Sequence, residues 1–113
     1  MILDAATIAE LKSDGPDSFA EIVTLFVEDT ALRFAQLKDA RARGDAGAVK
    51  DIAHALKGAS GAVGALRMRE LCAGIQESAK GSLETVEGPI RELEAEYDRV
   101  CDALKKEKSV PTG

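Results

Sequence analysis

The sequence has no tryptophan, one tyrosine and three phenylalanines, so aromatics make up 4% of its 113 residues although hydrophobic residues reach 45%. A core drawn from Leu, Ile, Val and Ala suits packed helices better than a β-sandwich, where aromatic and β-branched residues concentrate. A basic excess is also missing, since 20 acidic against 15 basic residues leave a formal charge of −5. That argues against a nucleic-acid surface and for a soluble protein. No apolar run approaches the ~18 residues of a membrane span, and the acidic start Met1-Ile2-Leu3-Asp4 is no signal peptide. A cytoplasmic protein that does not engage the membrane is expected. Cysteine is scarce: Cys72 and Cys101 each sit in an apolar helical pattern and read as small buried hydrophobes, not as a disulfide or metal site. No Gly-x-x-x-x-Gly-Lys-Ser/Thr loop occurs, which argues against nucleotide binding and autokinase activity. A single histidine without inward-facing carboxylate pairs leaves no metal site, and so no basis for a metal-dependent hydrolase.

What is present is helical periodicity, in a chain the size of one domain. Asp4 can cap a short first helix with Ile8 and Leu11 on its apolar side, stopped by Ser13-Asp14-Gly15-Pro16. A second helix begins near Pro16 to Ser18: Pro16 suits a first helical position, and Ser18 with Glu21 matches a capping box. Its apolar stripe is Phe19, Ile22, Val23, Phe26, Val27, Thr30, Phe34 and Leu37. Arg43-Gly44-Asp45 then supplies a stop, a turn and a new cap. The third helix is expected from about Asp45 to Val63, closed by Gly64. The fourth covers about Leu66 to Lys80, with Met68, Leu71, Cys72, Ile75 and Ala79 inward. The last carries Ile90, Leu93, Tyr97, Val100, Cys101 and Leu104 near a heptad seam, with Pro89 in its first firm turn and 83–88 as a looser lead-in. Short connections favour an all-α, antiparallel up-and-down four-helix bundle with a short extra N-terminal helix, over a helical hairpin that dimerises. The domain should span 1–107, with 108–113 a frayed tail.

The histidine lies in the third helix. At about 100° per residue from His54, the residues Ala59, Ile52, Val63, Leu56, Val49, Ser60 and Ala53 fall between about 140° and 260°, which marks the core face. His54 therefore faces solvent. Gly58, Gly61, Lys57 and Lys50 fall within about 60° of it, and Asp51, at about 60°, is the only close acid. An interior helical glycine costs about 1 kcal/mol relative to alanine, so two on the exposed side leave the imidazole above a bare backbone for which packing offers no reason. That arrangement admits another macromolecule, and Lys57 places a cation where an anion on the ring would sit. The competing reading is a helix that ends early in a glycine turn, against which Ser60 and Val63 keep the core period.

The stretch His54-Ala55-Leu56-Lys57-Gly58-Ala59-Ser60-Gly61-Ala62-Val63-Gly64-Ala65 resembles the signature of the histidine-containing phosphotransfer (HPt) domains of bacterial two-component phosphorelays. Those domains show His-x-Leu-Lys-Gly, a small pair, then Gly-Ala. The short first helix, the long bundle helices and the Gly-Asp turn extend the resemblance over about residues 3–107. It implies that His54 is the phosphoacceptor, that Lys57 steadies the phosphoryl oxygens and that Gly58 admits the partner. Many members hydrogen-bond the imidazole with a glutamine from the next helix, a place that Gln76 matches at the edge of its core stripe. Lys50 and the pair Arg67/Arg69 would form a basic rim against the acidic site of a receiver domain.

The implied function is a phosphoryl carrier that exchanges with the aspartate of response-regulator receiver domains, possession of ATP or a bound cofactor not being required. A neutral imidazole has one free ring nitrogen to attack an aspartyl phosphate, while the other keeps its proton. Phosphoryl transfer passes through a loose in-line transition state, so positioning and charge stabilisation supply most of the catalysis. Mg²⁺ should come with the receiver, because Asp51 alone cannot hold it. A hybrid sensor histidine kinase is a further expected partner, and a monomer the expected state. The start at Met1 and the polar tail favour a free-standing carrier. The alternative is a helical-bundle adaptor that binds a signalling partner without phosphotransfer, a role that needs neither the histidine nor its bare surround.

Overall fold

The computed structural model describes residues 2–109, all helix and turn. The elements are α1 (Ala5–Lys12), α2 (Pro16–Ala42), α3 (Ala46–Ala62), α4 (Leu66–Ala79), a single 3-10 turn (Leu83–Thr85) and α5 (Glu87–Ser109). Local chemistry sets most of their ends. The Asp4 carboxylate accepts from the Thr7 amide at 3.0 Å and from its hydroxyl at 2.7 Å, and Asp45 accepts from the Ala48 amide at 3.0 Å. Gly44 and Gly64 close α2 and α3 at φ 70° and 73°, the left-handed region open to glycine. The capping box expected at Ser18 and Glu21 does not form. Pro16 takes the first helical position, the cap is Gly15 without a side-chain bond, and Ser18 is already inside the helix. Pro89 is the third residue of α5, where its missing N–H leaves no helical bond unmade.

The long helices close around one core in chain order, each against the next and α5 back against α2. Along α2 the contacts Val27–Tyr97, Phe34–Tyr97, Lys38–Glu94 and Arg41–Glu87 rise while those on α5 fall, so the two run antiparallel. The third and fourth helices are antiparallel by the same test, with His54 against Gln76 and Gly61 against Arg69. Leu37, Leu56, Met68, Ile75, Leu93 and Leu104 are fully buried, as is Cys72, and Cys101 is nearly so. One chain completes this core, so the dimerising hairpin is not needed to bury it.

The seam of α5 departs from expectation at one position. Glu96 is 1% exposed, and its carboxylate is held by Arg99 at 2.9 Å and by Arg67 of α4 at 3.7 Å. Tyr97 is half-buried; its ring lies 5.2 Å from Phe34 and its hydroxyl donates to the Val27 carbonyl at 3.1 Å. Helix α5 continues to Ser109, two residues past the domain limit expected at 107 and into the expected tail. Leu104 is fully buried and Glu107 pairs with Lys12 at 2.6 Å, which holds the last turns through Ser109. The rest of that tail, 110–113, lies outside the described residues. Among the described residues no helix is long and apolar enough to cross a membrane.

Candidate functional site

Helix α3 buries Val49, Ala53, Leu56 and Ser60 and turns His54 outward, exposed. The Ser60 hydroxyl donates to the Leu56 carbonyl at 2.6 Å, which satisfies a buried polar group inside the helix. The helix runs unbroken through Gly58 and Gly61 to Ala62, so the early-ending reading fails.

Four neighbours define the surroundings of the imidazole. Gln76, half-buried on α4, brings its side-chain amide to 3.4 Å from the Nδ1 atom of His54. As the amide stands, its NH2 faces Nδ1, which suits a lone pair there and a proton on Nε2. Rotating the amide by half a turn presents its carbonyl oxygen instead, which accepts from Nδ1–H and leaves the Nε2 lone pair free. Gly58 lies one turn beyond His54, and a Cβ placed on it would meet nothing within 4 Å, so the backbone beside the ring is open. Lys57 is half-buried and Lys50 is exposed, both on α3.

The structure separates the two arginines grouped as one rim. Arg67 reaches toward α5, where its Nε is 3.7 Å from the buried Glu96 carboxylate, so it does not border His54. They lie two residues apart on a helix, about 200° around its axis, which is why they diverge. Arg69 instead lies across Gly61, with its Cδ 3.3 Å and its Nη1 3.8 Å from where a Cβ would stand. Gly61 is thus covered by a side chain, and of the two glycines only Gly58 is bare.

Charge divides the same way. Lys12, Arg33, Lys38, Arg41, Arg43, Arg67, Lys80, Arg91 and Arg99 all lie within ion-pair distance of a carboxylate. Among the described residues, no such partner stands beside Lys50, Lys57 or Arg69, nor beside Lys105, Lys106 and Lys108 in the last turns of α5. A cleft of about 450 Å³ lies elsewhere among the described residues, between α1 and the end of α5, lined by Ile2, Ile8, Lys12, Ala103 and Lys106. An imidazole on open helical surface, with Lys50 and Lys57 within about one turn of it on α3, suits an anionic macromolecule better than an enclosed small substrate.

The chain belongs to the Hpt domain family, whose model matches residues 21–103. Its fold is similar to histidine-containing phosphotransfer protein B (HptB) of Pseudomonas aeruginosa PAO1, at 31% identity and a TM-score of 0.90 over 96% of this chain and 95% of that one. It is also similar to the HPT domain of a sensor hybrid histidine kinase from Shewanella, at 25% identity and a TM-score of 0.75 over 95% and 91%. No curated relative matches by sequence. Family membership and both likenesses support a histidine phosphotransfer role in phosphorelays.

Proposed function

We propose that the protein carries a phosphoryl group on His54, accepting it from and donating it to the aspartate of response-regulator receiver domains in a two-component phosphorelay. The single observation that supports this most is an exposed imidazole whose Nδ1 is engaged by Gln76 while the adjoining backbone at Gly58 is open. The Nε2 lone pair attacks phosphorus, the N–P bond forms as the bond to the aspartyl oxygen breaks, and the carboxylate leaves with its electron pair. With its amide turned so that the carbonyl oxygen faces the ring, Gln76 accepts from Nδ1–H and fixes the ring orientation, and Lys57 stabilises charge on the phosphoryl oxygens. Reversal by the same route donates the group onward.

The chain acts as a carrier, and the Mg²⁺ such a transfer uses would sit with the receiver. Among the described residues no cluster of three His, Cys, Asp or Glu side chains offers a metal site. Receivers of a hybrid sensor kinase or of a separate regulator fit this chemistry equally. The test is incubation with phosphorylated receiver domains, followed by assay for acid-labile, alkali-stable phosphate on the protein. Transfer to the parent protein and none to His54→Gln is the expected result. Tight receiver binding without any transfer would replace this reading with that of an adaptor.

A further inference from the structure

We infer that Arg69, seated on Gly61, is a positioning residue that anchors the acidic rim of the receiver domain while taking no part at the phosphorus. The inference rests on the phosphotransfer reading and deepens it by separating docking from chemistry. Gly61 is seven residues beyond His54, and at 1.5 Å per residue the two are about 10 Å apart along α3. Lys57 is within one turn of the ring and Arg69 stands level with Gly61, two turns away. Their distances from the ring divide the work: Lys57 can meet the phosphoryl oxygens, and Arg69 can meet only what surrounds them.

Three observations support an anchor over an ordinary solvated arginine. Arg69 has no carboxylate within ion-pair distance among the described residues, whereas Arg67, two positions away on the same helix, reaches Glu96. Gly61 leaves room for Arg69 to lie against the helix, since a Cβ there would approach its Cδ to 3.3 Å. Holding the guanidinium along the backbone limits the rotamer freedom that binding would otherwise remove. Finally, Lys50, Lys57 and Arg69 set three unpaired cations along α3 on both sides of His54, on a chain of net charge −5. A receiver that holds Mg²⁺ must do so with carboxylates, so its face is acidic around the aspartate. These cations favour the approach of that face to His54.

The experiment measures transfer from a receiver domain charged with a small acyl phosphate, at varied receiver concentration and ionic strength, for the parent, Arg69→Glu, Arg69→Lys and Gly61→Ala. Arg69→Glu should raise KM about tenfold or more, keep kcat within about twofold and flatten the salt dependence of kcat/KM, as expected for a rim charge. Arg69→Lys should recover part of the loss. Gly61→Ala should raise KM in the parent but not in an Arg69→Ala background, because its effect runs through the seat. Transfer by Arg69→Glu with the parent's KM and salt slope would overturn the inference alone. Failure of every receiver, and of phosphoramidate, to phosphorylate His54 in the parent would overturn the phosphotransfer reading, and this inference with it.

Discussion

Replacing Gly58 by alanine should stabilise the protein and weaken its function. Gly58 lies in the interior of α3 without a positive φ, and an added Cβ would meet nothing within 4 Å. The substitution therefore introduces no clash in the isolated fold. It narrows the unfolded ensemble and improves helix propensity, which together should add about 0.5–1 kcal/mol. For a chain of this size that corresponds to a rise of roughly 2–5 °C in Tm. Transfer should move the other way, because the methyl occupies space that a receiver backbone needs in order to bring its aspartyl phosphate to Nε2. The effect should grow with size: modest for Gly58→Ala, on the order of 10²-fold for Gly58→Leu, where approach is held off by an ångström or more. Urea denaturation followed by helical circular dichroism measures the first quantity, and rapid-quench transfer from a phosphorylated receiver the second. A destabilised Gly58→Ala would refute the open helical site. Unchanged transfer by Gly58→Leu would refute the close-approach argument.

The same fold sets three further outcomes. His54→Gln should eliminate phosphorylation while shifting stability by less than about 0.5 kcal/mol, since the ring is exposed; a large drop in a urea melt would make the histidine structural. Gly64→Ala should lose about 2–4 kcal/mol, because left-handed backbone is strained for alanine and its Cβ would stand 2.9 Å from that of Thr7, at the turn where the Asp4 amide donates to the Gly64 carbonyl at 2.8 Å. Hydrogen exchange should show α1 loosened first, and a loss below about 1 kcal/mol would contradict the packing there. Burial pushes the Cys72 thiol up from 9.0 to about 11, against an opposing hydrogen bond with Ser60. The folded chain then holds that proton more tightly than the unfolded one, so the stability it contributes is complete below pH 9 and declines as pH rises from 9 toward 11. Melting temperatures across that range should fall less steeply for Cys72→Ala; parallel curves would show the thiol to be uninvolved.

The helices were readable because each is encoded locally. The stripe from Phe19 to Leu37, the Gly44-Asp45 turn and the cap at Asp4 each act within a few residues, and the structure bears out all three. Pro16 takes the first helical position that its residue type suits, while Ser18 and Glu21 misled because a capping box is only a pattern of residue types and both lie inside the helix that Pro16 starts. Glu96 was passed over because a carboxylate in a heptad seam reads as solvent-facing until Arg67 and Arg99 are seen to meet it.

The same division runs through the candidate site. One helix and its period suffice to turn His54 away from Val49, Ala53 and Leu56, and to place Gly58 and Lys57 beside it, because all of these share one rigid repeat. Everything that reaches His54's surroundings from α4 depended on packing. Gln76 comes within 3.4 Å of the ring, Arg69 lies over Gly61 and Arg67 is drawn away to Glu96 because two antiparallel helices meet in one particular register. That register is set by the buried side chains of the whole core, which no stretch of α3 or α4 contains alone.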